Sequence, residues 1–185
     1  HFLKGQIAME DVRRELMAQA AKMERTGLPL THVDSHQHMH MLPGVIDISL
    51  DVAASLNLDA VRISRTPLFT AFAGMGQLIG RLGLFTLSEL SLWKAKRRHF
   101  RVPDHFEGIV AGEAVHEGHF LHILKDLRPG TTEVMMHPGT DNEKLIPACD
   151  WEHDFEAEMQ AIVSPKVRRM IADKAVKIVN YRDLK

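Results

Sequence analysis

Cysteine is almost absent from this sequence: Cys149 stands alone, so no internal disulfide can form and a cysteine-based zinc site is excluded. Long apolar runs are missing too. The longest stretch without a formal charge in the most apolar region, residues 66–80, has 15 members, whereas a membrane-spanning helix needs about 20 apolar ones. Neither sign of charge prevails, since 23 Lys and Arg stand against 24 Asp and Glu, for a net charge of -1 and a pI near 6.9. That balance argues against nucleic acid as a partner, because a phosphate-tracking surface shows as a basic excess. No basic segment leading into an apolar one follows His1, so no secretory leader is visible and a cytoplasmic location is the expectation. A glycine-rich phosphate loop, a G-x-S-x-G elbow and an H-E-x-x-H pair are all lacking. No internal repeat or low-complexity linker is visible either, and a second domain is not expected.

What is present is a 45% hydrophobic, 25% charged chain of 185 residues, enough to bury a core and expected to form one domain over 1–185. The length is short for a full (β/α)8 barrel, which takes about 250 residues and rarely fewer than about 200. Val12, Leu16, Ala20 and Met23 recur at helical spacing over 8–25, and Gly27-Leu28-Pro29 stops that helix. Residues 31–34 read as a short strand entering a polar turn. A helix follows from Pro43 to about Leu56, then a strand over 60–63. Residues 69–101 read as an irregular helical insertion interrupted by Gly74, Gly76, Gly80 and Gly83. Further strands are expected over 105–109, 132–136 and 176–180, and helices over 114–127, 151–162 and 165–174. Strands alternating with helices imply an α/β fold with a parallel sheet and helices outside it.

Ligands in such folds sit where strands end. Three strand ends carry capable groups: Asp34-Ser35-His36 after the first, Arg62 within the second, and His137 after the fourth. Of the 12 histidines, four lie in the nine residues His32-Val33-Asp34-Ser35-His36-Gln37-His38-Met39-His40. Imidazole and carboxylate together fit a borderline divalent ion such as zinc. If the chain stays extended, His36, His38 and His40 point to one side; if it turns, one or two at most reach any one ion. Single rings here could equally hydrogen-bond a loop. His137, delivered by an apolar strand into a Pro138-Gly139 turn, suits a general acid, or a turn histidine capped by backbone. Arg62 and Arg65 could orient an oxyanion or be solvated charges. Asp141 and Asn142 extend the site or cap the segment after the turn. The basic run Lys94, Lys96, Arg97, Arg98 and Arg101 could rest on an anionic membrane surface or be a solvated helix end.

From His32 to His40 the chain closely resembles the YdjC-like carbohydrate deacetylases, with their H-[VL]-D-S-H-x-H-x-H signature followed by a proline. The likeness continues through Val61-Arg62-Ile63, Met136-His137-Pro138-Gly139 and Asn180-Tyr181-Arg182-Asp183-Leu184. The resemblance implies an incomplete (β/α) barrel of the polysaccharide deacetylase-like type, with a divalent metal, Mg or Zn, at the strand C-termini. It implies an acetylated carbohydrate substrate and metal-assisted amide hydrolysis. By motif, His36 would be a metal ligand, His137 the general acid and Arg62 a site-orienting group, and Asp34 would support His36 from the second coordination sphere.

The family's N-A-D-D-F-G and G-x-H-x-x-L-T elements, which supply a catalytic Asp, an acidic ligand and a second metal His, have no counterpart here. The resemblance therefore covers about the C-terminal two thirds, and the chain is expected to lack the N-terminal strands, to hold metal weakly or not at all, and to be inactive. A non-catalytic remnant that binds a sugar or lipid through the same face is the alternative. Missing strands also imply an open sheet edge, hence a homo-oligomer.

Overall fold

The structure, a computed structural model, describes residues 5–65, 78–109 and 114–185, with only the helical backbone given for 78–81. These residues gather into two compact units. One draws on those within 1–65, 80–103 and 179–185, the other on those within 66–79 and 104–178.

In the first unit, helix α1 (Met9–Glu24) carries Glu10 and Asp11 in its first turn and Lys22 in its last, each charge opposing the helix dipole favourably. Its stripe Val12, Leu16 and Ala20 packs on Ile48 and Val52 of α2 (Val45–Ser55). The opposite side of α2 buries Ile46, Leu50 and Ala53 against Val61, Ile63, Ala95 and Phe100. Fully burying a Leu or Ile is worth about 1.5–3 kcal/mol, so this two-sided helix anchors the unit. The expected strands over 31–34 and 60–63 shrink to single parallel bridges, Val33 to Val61 and Ala60 to Arg101. Of the 69–101 segment, 69–77 lie outside the described residues; the rest contains helix α3 (Leu78–Arg97), which runs unbroken through Gly80 and Gly83. The C-terminus is held by Arg101, which pairs with Asp59 and donates to the carbonyls of Arg182 and Leu184. That guanidinium holds the Asp59 carboxyl below the usual carboxylate range.

In the second unit, β1 (His105–Glu107) pairs in parallel with β2 (Thr132–Val134). Met135 then donates to the Glu107 carbonyl, and Gly108, at φ 99°, lies so close that a Cβ there would strike the Met135 carbonyl. Between the strands runs α4 (Glu117–Lys125), capped by His116. Helices α5 (Asn142–Cys149), α6 (Phe155–Val163) and α7 (Pro165–Asp173) come next, started by Asp141, Asp154 and Ser164, whose side chains accept first-turn N–H groups. The Asp154 cap explains why α6 begins at Phe155 and not at Trp151. Helix α5, with Pro147 inside it, was not expected from its composition. Residues 176–180, expected as a strand, belong to no sheet; Asn180 instead caps a short 3-10 turn, Tyr181–Asp183. The observed fold is thus mixed α/β with a small parallel sheet. Among the described residues no helix is long and apolar enough to cross a membrane.

Candidate functional site

In the first unit the backbone turns where the sequence left two paths open. Gln37 (φ 50°) and His38 (φ 58°) both occupy the left-handed region, inside a tight 3-10 stretch, His36–Met41. Side-chain alternation ends there, and the four imidazoles part company. His40, 3% exposed, is built into the fold. Its Nδ1 lies 2.7 Å from Ser35 Oγ, and its Nε2 lies 2.7 Å from the Arg62 carbonyl, which can only accept, so Nε2 carries a proton. His38 Nδ1 meets buried Ser64 Oγ at 2.6 Å. His32 contacts Thr31 Oγ1 and stacks on Tyr181 with ring centroids 3.6 Å apart. His36 is exposed.

The parallel Val33–Val61 bridge sets Asp34 and Arg62 side by side, where the guanidinium donates to Asp34 Oδ2 at 2.7 Å. Arg62 also donates its backbone N–H to the Val33 carbonyl. Arg65, by contrast, pairs with Glu89. Behind the turn lies an apolar groove of about 420 Å³ reached by Val12, Leu16, Met23, Val33 and Leu56, with Asp34 and Ser35 at its polar margin.

In the second unit β2 leads into His137-Pro138-Gly139, and the turn is tied at both ends. The His137 N–H donates to Glu158 Oε2, and the Gly139 N–H donates to the Phe155 carbonyl at 2.9 Å. Gly139 is needed there because a Cβ would lie 2.9 Å from Phe155 Cβ. Glu158, 1% exposed, also accepts the Val115 N–H on Oε1 at 2.9 Å. The His137 ring meets Trp151 and His153 edge to face, and Trp151 stacks on His153 at 4.1 Å. Ligand atoms of His137, His153 and Glu158 all lie within 4.8 Å of one another. Asp141 caps α5, while Asn142 bonds Asp154 and Glu156 at the start of α6. On β1, burial pushes the Glu107 carboxyl above its ordinary range, against the pull of Arg128.

Sequence reasoning named His36, Asp34, Arg62 and His137 but passed over His153 and Glu158. A signal for Glu158 existed: it sits three residues from Phe155 and from Ala161, on the buried stripe of α6, where a carboxylate must have partners. For a family metal at the first turn, the described residues offer one exposed imidazole, His36, beside a carboxylate already bound by Arg62, while His40 has both nitrogens committed. A defined site takes three or more protein ligands. These residues alone do not fit such an ion.

Known proteins supply the remaining comparison. A family model described as YdjC-like protein matches residues 1–173. A carbohydrate deacetylase of Thermoanaerobacter pseudethanolicus is 27% identical over 96% of this chain and 61% of its own length. The carbohydrate deacetylase of Mus musculus is 29% identical over 97% of this chain and 64% of its own. The chain thus spans less than two thirds of these relatives. A solved structure from Enterococcus faecalis V583, described as a candidate cellobiose-phosphate cleavage protein, superposes with a TM-score of 0.67 at 18% identity, covering 97% of this chain and 62% of that one. At that identity the likeness concerns the fold.

Proposed function

Since this chain belongs to the YdjC-like family, we propose that it acts, within the complete family architecture, as a metal-dependent hydrolase that removes acetyl groups from N-acetylated sugars or oligosaccharides. The fold is read as an incomplete (β/α) barrel of the polysaccharide deacetylase-like type, a reading supported by the parallel direction of the strand pairing and of both isolated bridges among the described residues. The observation that carries the function is the tied His137-Pro138-Gly139 turn at the end of β2.

In this reading water adds across the acetyl carbonyl, the water's proton taken by the catalytic Asp of the family's N-A-D-D-F-G element, the C–N bond breaks, and acetate and a free amine leave. The His137 imidazolium gives its proton to the departing amine nitrogen, which would otherwise leave as an amide anion. Arg62, held by Asp34 beside the Val33–Val61 bridge, orients the substrate. His36 would supply one ligand of a metal site whose remaining ligands are not among the described residues. Residues 1–185 by themselves therefore do not turn over substrate, and sugar binding without hydrolysis is the second reading for this portion.

Acetate release from N-acetylated chitooligosaccharides, measured with zinc or magnesium on the natural reading frame that contains these residues, tests the proposal. His137→Ala should lower kcat at least about 100-fold with little change in KM. An unaltered kcat would remove His137 from its role, and the absence of acetate from every N-acetylated sugar tried would overturn the deacetylase reading.

A further inference from the structure

We propose that His137, His153 and Glu158, all within the second unit, form a binding site for a zinc-class transition-metal ion whose ligands do not include His36. Two imidazoles and a carboxylate are the donor types such an ion takes, and three protein ligands leave a fourth position open.

Two details point to an ion here. The first is His153 Nε2, on a side chain only 5% exposed. It lies 3.2 Å from Glu158 Oε1, yet not along a hydrogen-bonding direction, so this buried nitrogen has no hydrogen-bond partner. Leaving a polar atom so placed is costly, and a metal between the two would use the nitrogen lone pair and the carboxylate together. Ligands at about 2.0–2.1 Å on a tetrahedral zinc stand about 3.3 Å apart, close to the observed separation.

The second detail is the support around the carboxylate. Val115 and His137 donate backbone N–H groups to its two oxygens, fixing its plane as outer-sphere partners fix a ligating carboxylate. Trp151 and Phe155 pack on the His153 ring and hold its orientation. His137 completes the set by a side-chain movement that brings ligand atoms within 4.8 Å to bonding positions.

This site does not rest on the deacetylase reading and constrains it. A metal-bound His137 nitrogen cannot also deliver a proton, so excess zinc would oppose the acid role proposed above.

The test is a Zn²⁺ titration of residues 1–185 against a chromophoric chelator, with Co²⁺ absorption to report coordination number. The expected result is one ion per chain, bound as strongly in His36→Ala as in the parent. In His153→Phe, which keeps the aromatic packing, affinity should fall more than about 100-fold, beyond what loss of an outer-sphere partner produces. Glu158→Gln gives a second arm that retains the carboxylate's shape. Failure to bind zinc at micromolar concentration, or equal binding by His153→Phe, would overturn the site. Binding lost in His36→Ala and kept in His153→Phe would also overturn it, and would place the ion at the turn used by the proposed function.

Discussion

In the first unit four histidines share nine residues of chain and end apart, three on separate partners and one exposed. In the second, His137 and Glu158 stand 21 positions apart and meet, with His153 between them in sequence and beside them in space. The difference shows that histidine density along a chain is a poor guide to convergence. Backbone direction decides it: two left-handed residues scatter the first group, while a tied turn and the buried stripe of one helix gather the second.

The comparison breaks most sharply at Glu158. Glu158→Ala would leave the Val115 and His137 amides without their acceptor, and should cost about 3 kcal/mol or more, read as a lower urea midpoint. Next comes His40, committed at both nitrogens. His40→Ala should cost about 2 kcal/mol by the same measurement, since Ser35 and the Arg62 carbonyl lose a buried partner.

Acid should bear on the first unit through Asp59. Its carboxyl is held low by Arg101, so the pairing stabilises the fold above the unfolded value of about 3.9 and is lost as pH falls through the lower folded value. Both ends are partly solvated, so the effect should stay below about 1 kcal/mol, and Asp59→Asn should flatten the urea midpoint between about pH 6 and about pH 3. The smallest effect belongs to His36. His36→Ala should shift the midpoint by no more than about 0.5 kcal/mol, four residues from a histidine whose loss is costly. A larger loss at His36 than at His40 would reverse the assignment of structural and exposed rings.

Much of the helical framework was legible because its signals are local. The stripe Val12, Leu16, Ala20 and the stop at Gly27 mark α1 within about a residue at each end, and Ser164-Pro165 starts α7 where a cap and a first-turn proline belong. The strands were overdrawn: β-branched runs such as 60–63 and 176–180 fit a sheet, but pairing depends on a neighbour that sequence does not display. Helix α5 is short and holds Pro147, a residue unfavourable inside a helix, although Asp141 was already readable as a cap. Asp34, Arg62 and His137 were named from motif and strand end, and the structure pairs Asp34 with Arg62. Glu158 was hidden in an acidic helix, where its burial comes only from the packing of α6.

The left-handed pair at Gln37 and His38 has a consequence for what the turn can become. An L-residue in that region costs about 1–2 kcal/mol, least for short polar side chains that bond locally and nothing for glycine. Positions 37 and 38 therefore sift substitutions by shape: glycine or asparagine enters freely, while valine or isoleucine would force the chain straight. A straightened turn would swing His38 away from Ser64 and His40 away from the Arg62 carbonyl. Variation at these two positions is thus policed by conformation before any ligand is involved, and a library built across the turn should return glycine and asparagine at 37 ahead of any β-branched residue.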